Sequence, residues 1–327
     1  MNLTNATSKA DDLLQGYSAV SMCLEWSRAG RLVFLGFFAT LGSCMNGFFV
    51  ASFFVEHTLR KVGNVFLACV GFSDLIITSG VAPISIVVIL SDQWDNDIVC
   101  NAQRFLGEAA TYAYTIFFML VAGENYFRIS RNTHRLKLSR LRVGILSVSV
   151  FALCFIVAGV GVYMDIDYDY CHRKHYGNVY FRTAIALAFQ MVPFVLTMFA
   201  LISASIQVRR RARRKIQYRR SYLYDFDSST TSLNLTAYIL FVLAWTPYLI
   251  IVHEDPGTND SKFYHSAWLG LLRSLLTSFL YACLSRNFRR AFAHLFNYCF
   301  CKSTLTSSFA SRHRRTFVYK LATGELK

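Results

Sequence analysis

The sequence predicts an all-α membrane protein, a seven-transmembrane-helix bundle followed by a short amphipathic eighth helix. Hydrophobic residues make up 54% of the chain and charged residues only 16%, whereas an average soluble domain has about 25% charged residues. The charges collect in short blocks, and the apolar runs between them have about 20 residues, the length that spans a bilayer core. Such runs favour helices, because a span in lipid must satisfy its own backbone hydrogen bonds. We predict spans at residues 32–55, 64–90, 99–129, 143–163, 179–207, 233–253 and 264–284.

The lysine and arginine residues predict how the bundle is oriented. Most of them lie in the loops after the first, third and fifth spans and in the tail, and Arg209–Lys215 is the densest run. Basic loops face the cytoplasm, so we expect a multi-pass protein of the cell membrane with its N-terminus outside and its C-terminus inside. The net charge of +15 then points to membrane lipids as partners and not to nucleic acid. For the run Arg209–Lys215, contact with a cytoplasmic protein partner and contact with anionic lipid remain alternatives.

The spans divide the chain into three parts. We predict an extracellular N-terminal segment at 1–31, the seven-transmembrane-helix domain at 32–284, and an amphipathic helix with a cytoplasmic tail at 285–327. Three sequons on the outer side are candidate glycosylation sites: Asn2, Asn5 and Asn259.

The cysteines near the span ends suggest two kinds of modification. Cys100 and Cys171 both face the oxidising side, which predicts a disulfide, the alternative being two free outer cysteines. Cys299 and Cys301 follow the basic amphipathic segment 285–297 and are candidate palmitoylation sites. We expect no metal and no cofactor.

Short motifs follow one another in a fixed order along the spans. Asn46 lies in the first span and Asp74-Leu75 in the second, and Asn125 stands 25 positions after Cys100. The later spans carry Pro193, Phe241-x-x-x-Trp245-Thr246-Pro247 and Tyr281. This ordered set resembles the rhodopsin-like (class A) G-protein-coupled receptors, in a divergent form, over the whole chain. "RFL" after Cys100 and "SRNFRRAF" after the seventh span look closest to the melatonin-receptor-like branch and its invertebrate orphan relatives.

The resemblance implies an activation switch in the sixth span. Pro247 removes a backbone donor and should kink the helix. A bulky aromatic pair beside a kink can have two packings, and a ligand that favours one of them shifts the balance. The alternative is an aromatic core at a proline kink without a switching role. The predicted switch residues are Pro193, Phe241, Trp245, Pro247 and Tyr281.

A second predicted group is a buried polar core formed by Asn46, Asp74, Arg273 and Thr277. In the family the aspartate binds sodium. Here Asp74 and Arg273 are opposite charges in facing spans, each costly when buried alone. We therefore predict that Arg273 pairs with Asp74 and displaces the sodium ion, with a water-filled cavity as the alternative destination of Arg273.

The ligand pocket is predicted between the outer ends of the spans. Glu108 should favour a cationic or hydrogen-bond-donating ligand. Gly107 stands where amine receptors of the family have an aspartate, and Phe189 lies near the place of the melatonin-binding histidine, so neither ligand is expected by the usual route. For Tyr112, Tyr248, His265 and Trp268 plain packing is an equal alternative, and for Arg104 the alternative is a side chain that extends to the membrane surface. The candidates are Arg104, Gly107, Glu108, Tyr112, Phe189, Tyr248, His265 and Trp268.

The predicted G-protein contact region is formed by Glu124, Asn125, Tyr126 and Arg128. Asn125 replaces the family's arginine, and asparagine lacks the charged five-donor fork of that residue. The leading hypothesis is a G-protein-coupled receptor with an unknown extracellular ligand, a heterotrimeric G protein as partner and arrestin as a further candidate. The alternative is a receptor-fold protein that does not couple to G proteins, acting in scavenging or adhesion or through arrestin only. A transporter is less favoured, and no motif indicates an enzyme.

Overall fold

The computed structural model describes residues 27–91, 97–131, 139–164, 168–169, 174–175, 179–253 and 260–301. Within these ranges, seven helical segments are long and apolar enough to cross a membrane, which confirms the predicted fold class and makes the chain a multi-pass membrane protein. The first, third, fourth, sixth and seventh spans are the helices Arg28–Val55, Asp97–Arg131, Arg140–Tyr163, Tyr222–His253 and Asp260–Leu284.

The second and fifth spans are each interrupted by one π-helical turn. The second consists of Asn64–Ile76, the π turn Ile77–Val81 and Ala82–Ser91, and the fifth of Val179–Ala186, the π turn Leu187–Met191 and Val192–Arg214. A π turn frees backbone carbonyls, and the third span satisfies one of them, because the Thr115 hydroxyl donates to the Phe189 carbonyl at 2.7 Å. The described residues also contain shorter elements: His57–Leu59 and Ile216–Arg219 are helical turns, Tyr168–Asp169 pairs antiparallel with Lys174–His175, and Arg286–Cys301 is the eighth helix.

The fifth and sixth spans run further than hydropathy predicts. Arg209–Arg214, expected in the third inner loop, continues the fifth helix, and the sixth helix begins at Tyr222 instead of residue 233. The predicted ends at 207 and 233 were therefore wrong as helix boundaries. Arginine is a good helix former, so the charge ends the apolar run without ending the helix.

The bundle presents apolar side chains outward and packs aromatic residues inside. Phe37, Phe54 and Val148 are each more than three-fifths exposed, an arrangement suited to lipid and not to water. The first and second spans approach closely where Gly71 meets Phe49: a Cβ on Gly71 would lie 2.3 Å from the Phe49 Cδ1. Small residues at such crossings let two backbones approach in a membrane.

The eighth helix is held against the bundle by aromatic contacts. Phe288 is buried and stacks on Phe49 with 4.8 Å between ring centroids, and it also meets Phe53 and Tyr281 edge-on. The helix thus joins the end of the seventh span to the first. We call this end of the bundle, where the third span ends at Arg131 and the fifth at Arg214, the basic end. The opposite end is the pocket end.

Candidate functional site

A cavity of about 120 Å³ opens between the spans at the pocket end. Five of the predicted pocket residues line it: Arg104, Gly107, Glu108, Tyr112 and Tyr248. Gly107 has no heavy atom within 4 Å of an added Cβ, so the missing side chain leaves room there.

Three predicted pocket residues do not line this cavity. Their prediction failed because the sequence does not show which way each side chain faces. The Trp268 indole packs edge-on against Phe34, at 4.7 Å between ring centroids. Phe189 packs against Tyr112 at 5.0 Å, and its backbone carbonyl accepts from Thr115. His265 is exposed.

The cavity also has polar lining residues that the prediction missed or assigned elsewhere: Gln103, Thr111, Gln190, Trp245 and Arg273. Helical spacing contained a signal for two of them. Gln103, Gly107 and Thr111 follow one another at four-residue intervals, which puts them on one face of a helix.

Glu108 and Arg104 form an ion pair within the third span. Arg104 Nε donates to the Glu108 Oε1 at 3.2 Å, and both side chains are buried. The negative charge of Glu108 is therefore balanced within the wall of the cavity. The expectation that Glu108 selects a cationic ligand loses its basis.

Arg273 lies at the floor of the cavity and does not pair with Asp74, so that prediction was wrong. Arg273 Nη2 donates to the Thr111 Oγ1 at 2.6 Å, and the guanidinium lies over the Trp245 ring, 4.4 Å from its centroid. In the described part of the chain neither Asp74 carboxylate oxygen has a hydrogen-bond partner. Burial alone did not tell which direction the arginine would take, and a cation–π contact with a tryptophan is an alternative to an ion pair.

The remaining polar core links the first, second, third and seventh spans. Asn46 Nδ2 donates to the Ser274 carbonyl at 3.0 Å and more weakly to Thr78 at 3.4 Å. Thr277 hydrogen-bonds with the Tyr114 hydroxyl at 2.9 Å. The four predicted core residues are thus all buried between the same spans.

Of the predicted switch residues, Trp245 reaches the cavity lining, and Phe241 lies in an aromatic stack with Tyr114 one turn before it. Phe241 is buried against Tyr114 at 4.4 Å between ring centroids, and Trp245 lies one turn further along, before Pro247 inside the helix. The Trp245 indole N–H has no hydrogen-bond partner among the described residues. Pro193 stands in the first turn of the helix that follows the fifth-span π turn.

Tyr281 lies nearer the basic end than the aromatic stack. Its hydroxyl donates to the Asn234 side-chain carbonyl, and both residues are buried. This contact ties the seventh span to the sixth. Asn234 was not singled out from the sequence as a site residue.

At the basic end, polar side chains of the third and sixth spans form what we call the latch: Asn125, Arg128, Asp227 and Thr231. Asn125 Nδ2 donates to the Thr231 Oγ1 at 3.0 Å, and its Oδ1 accepts from Arg128 Nη2 at 2.7 Å. Arg128 Nη1 pairs with Asp227, whose side chain is 4% exposed. Arg128 thus stands about one helical turn beyond Asn125, the position at which the resembled family has an arginine.

Neighbouring groups surround the latch. The Glu124 carboxylate lies 3.9 Å from Arg128 Nε, and the Tyr218 hydroxyl donates to the Asp227 Oδ2 at 3.0 Å. Burial and the negative charge of Asp227 raise the pKa of Tyr218 to about 12, so the phenol stays a donor at neutral pH. Tyr126, also predicted in this region, packs against Phe199.

Some predicted modification sites lie outside the described residues: Asn2, Asn5, Asn259 and Cys171. Cys100 is disulfide-bonded, but its pairing with Cys171 stays a prediction. Cys299 is exposed with a free thiol, and the side chain of Cys301 lies outside the described part.

Comparisons with known proteins agree with this architecture. The family described as "7 transmembrane receptor (rhodopsin family)" matches residues 45–285. The melatonin receptor type 1A of Phodopus sungorus is 22% identical over 315 residues, 90% of this chain and 86% of its own length. The pyroglutamylated RF-amide peptide receptor of Mus musculus is 20% identical over 86% of this chain and 72% of its own length. The histamine H2 receptor of Rattus norvegicus is 22% identical over 74% and 72%.

Proposed function

Since the chain belongs to the rhodopsin family of seven-transmembrane receptors, we propose that this G-protein-coupled receptor is held inactive by the latch and is activated by a ligand in the cavity. The names of the relatives refer to melatonin, an RF-amide peptide and histamine. At 20–22% identity these names suggest no single ligand for this chain.

The proposed orientation puts the basic end in the cytoplasm and the N-terminus outside. Its support is the concentration of arginine at that end, including Arg128 and Arg209–Arg214, since basic segments are retained on the cytoplasmic side. The G protein would then meet the basic end. Arrestin and anionic lipids would approach the same face.

The observation that carries the proposal is the Arg128–Asp227 ion pair between the third and sixth spans. Asp227 is nearly fully buried, and its partner Arg128 is about one-third exposed. When the sixth span moves away, the pair breaks and Arg128 becomes free to contact a G protein. Arg128 thereby supplies the guanidinium that Asn125 lacks.

The strength of the latch sets the expected effect of breaking it. Hydrogen bonds to charged groups contribute about 1.5–3 kcal/mol, and exposure of Arg128 reduces this to about 1–2 kcal/mol. A change of one or two kcal/mol alters a two-state ratio by a factor of roughly 5–30. Loss of the ion pair should raise basal signalling by up to that factor.

The test is Asp227→Asn, with Asp225→Asn as a matched control because Asp225 is exposed two positions away. G-protein activation is measured across the main G-protein classes at equal surface expression, beside an empty vector. An N-terminal epitope tag read in unpermeabilised cells tests the orientation in the same experiment. We expect higher basal activation from Asp227→Asn than from the native chain or the control.

Two outcomes would contradict the proposal. Equal activity of both variants and the native chain, all above vector, would mean that the latch does not restrain signalling. Silence of all three at normal surface expression would favour the receptor that does not couple to G proteins, the candidate suggested by Asn125.

A further inference from the structure

The floor of the cavity is formed by a buried cation with unused donors. Arg273 is 1% exposed, and of its five N–H groups one donates to Thr111. Within the described residues Nε and Nη1 have no hydrogen-bond partner. A buried charged donor left without an acceptor costs free energy, so an acceptor that enters the cavity and reaches these groups will be bound favourably.

The protein's own carboxylates do not supply that acceptor. Asp74 attracts Arg273 through the core, yet neither of its oxygens accepts a hydrogen bond in the described part of the chain. Glu108 is engaged by Arg104 at 3.2 Å. Among the cavity-lining residues the Arg104 and Glu108 charges cancel, and the surplus charge is the positive one of Arg273.

The rest of the lining describes what the ligand must be besides an acid. Tyr112 and Tyr248 contribute aromatic surface, and Val81 and Leu271 contribute aliphatic surface. The volume of about 120 Å³ is comparable to the roughly 150 Å³ apolar cavity that admits benzene. A single ring or a short aliphatic body fits this space, and a peptide can insert no more than one side chain or its terminus.

We infer that the activating ligand is a small organic carboxylate, with its carboxylate on the Arg273 guanidinium and its apolar body between Tyr112 and Tyr248. This inference rests on the proposed function, because it names the ligand class of the same cavity. Arginine is suited to the task, since its planar fork binds a carboxylate through two parallel hydrogen bonds.

The position of Arg273 also connects this ligand to the switch. The guanidinium lies 4.4 Å from the Trp245 ring centroid and 5.2 Å from that of Phe241. A bound carboxylate draws the guanidinium toward itself and balances its charge, which weakens the cation–π attraction to Trp245. The indole is then free to take a second packing, and the ligand gains the differential affinity that a population shift requires.

The experiment measures binding without relying on signalling. Purified native chain in detergent is heated with benzoate and with phenylacetate, and with the primary amide of each acid. The amide keeps the shape and loses the charge, so it is the matched control. We expect at least one acid at millimolar concentration to raise the melting temperature, and its amide to bind about ten- to hundredfold more weakly, the loss expected for a charged hydrogen-bonded contact.

Two variants place the effect at Arg273. In Arg273→Gln the stabilisation by the acid should be lost. In Thr111→Val, which removes the hydroxyl that accepts from Arg273 and donates to the Gly107 carbonyl, it should be reduced. The acid–amide comparison in the native chain needs no variant, so the test survives if Arg273→Gln does not fold. Sodium chloride alone is titrated in parallel to distinguish an organic acid from an inorganic anion.

The outcomes separate the ligand class from the proposed function. Binding of acids without G-protein activation supports the carboxylate site at Arg273 and contradicts the proposed function, on which the activating role of the ligand rests. Basal activation in Asp227→Asn without acid binding does the reverse. The inference is overturned if no acid binds at millimolar concentration, if amides bind equally well, if chloride alone gives the same stabilisation, or if folded Arg273→Gln still binds the acid.

Discussion

Gly270, a residue of the cavity lining, offers a way to change the packing of the switch tryptophan without altering the latch. A Cβ at this position would lie 3.2 Å from the Trp245 Cε3 and Cζ3 and 3.6 Å from the Tyr248 Cβ. Carbon atoms attract best at about 3.5–4.0 Å, so Gly270→Ala forces the indole to move by a few tenths of an ångström. The substitution therefore strains the packing of Trp245 in the described state.

The size of the effect follows from two opposing contributions. Overpacking a core by a methyl group costs about 1–3 kcal/mol, and the small displacement puts this case near 1 kcal/mol. Alanine in place of glycine stabilises the seventh helix by about 1 kcal/mol, so expression and melting temperature should change little. The strain acts on the indole packing, and about 1 kcal/mol alters the ratio of two states roughly fivefold.

The assay is basal G-protein activation at equal surface expression, with Gly144→Ala as the control. Gly144 is exposed on the fourth span, and an added Cβ meets no heavy atom within 4 Å. We expect Gly270→Ala to raise basal activation up to about fivefold and the control to leave it unchanged. The reasoning is refuted if the two variants behave alike, or if Gly270→Ala lowers basal activation, which would mean that the described packing is the active one.

Two further substitutions test the crossing of the first two spans and the latch. Gly71→Ala places its Cβ 2.3 Å from the Phe49 Cδ1, so we expect a melting temperature lower by several degrees. Gly47→Ala, which has open space around its added Cβ, should melt like the native chain. Equal melting temperatures of the two variants would contradict the close approach of the two spans. Asn125→Arg removes the amide oxygen that accepts from Arg128 at 2.7 Å and puts a second guanidinium beside Arg128, so basal activation should rise. Basal activation below the native level would show that the new arginine strengthens the latch instead.

The sequence alone was sufficient to predict the membrane spans, because a helix in lipid needs a long apolar run and hydropathy detects such runs directly. The seven apolar runs, the proline in the sixth span and the amphipathic eighth helix all depend on local composition. The ends of the fifth and sixth spans were missed for the same reason: Arg209–Arg214 is too charged for the bilayer core but has no residue that stops a helix. Hydropathy indicates where the lipid-embedded part of a helix ends, whereas helix propensity and helix-stopping residues indicate where the helix itself ends.

Side-chain contacts between spans were harder to predict. Asp74 and Arg273 were both predicted inside the bundle, but the rotation of each helix decides which neighbours they meet, and Arg273 faces Thr111 and Trp245 instead. Trp268 was placed in the pocket by its type and depth, yet it faces Phe34 of the first span. One sequence contains no direct measure of helix rotation, so the residues of a site are predicted better than their partners.

The latch bears on how motifs in this fold are recognised. One turn of a helix rises 5.4 Å, and an arginine side chain is long enough to cover that distance. A cation at Arg128 therefore reaches the sixth-span carboxylate of Asp227, although position 125, where the resembled family has its arginine, holds an asparagine. A motif search that requires arginine at position 125 misses this chain. A search for any arginine within one turn of the end of the third span finds it.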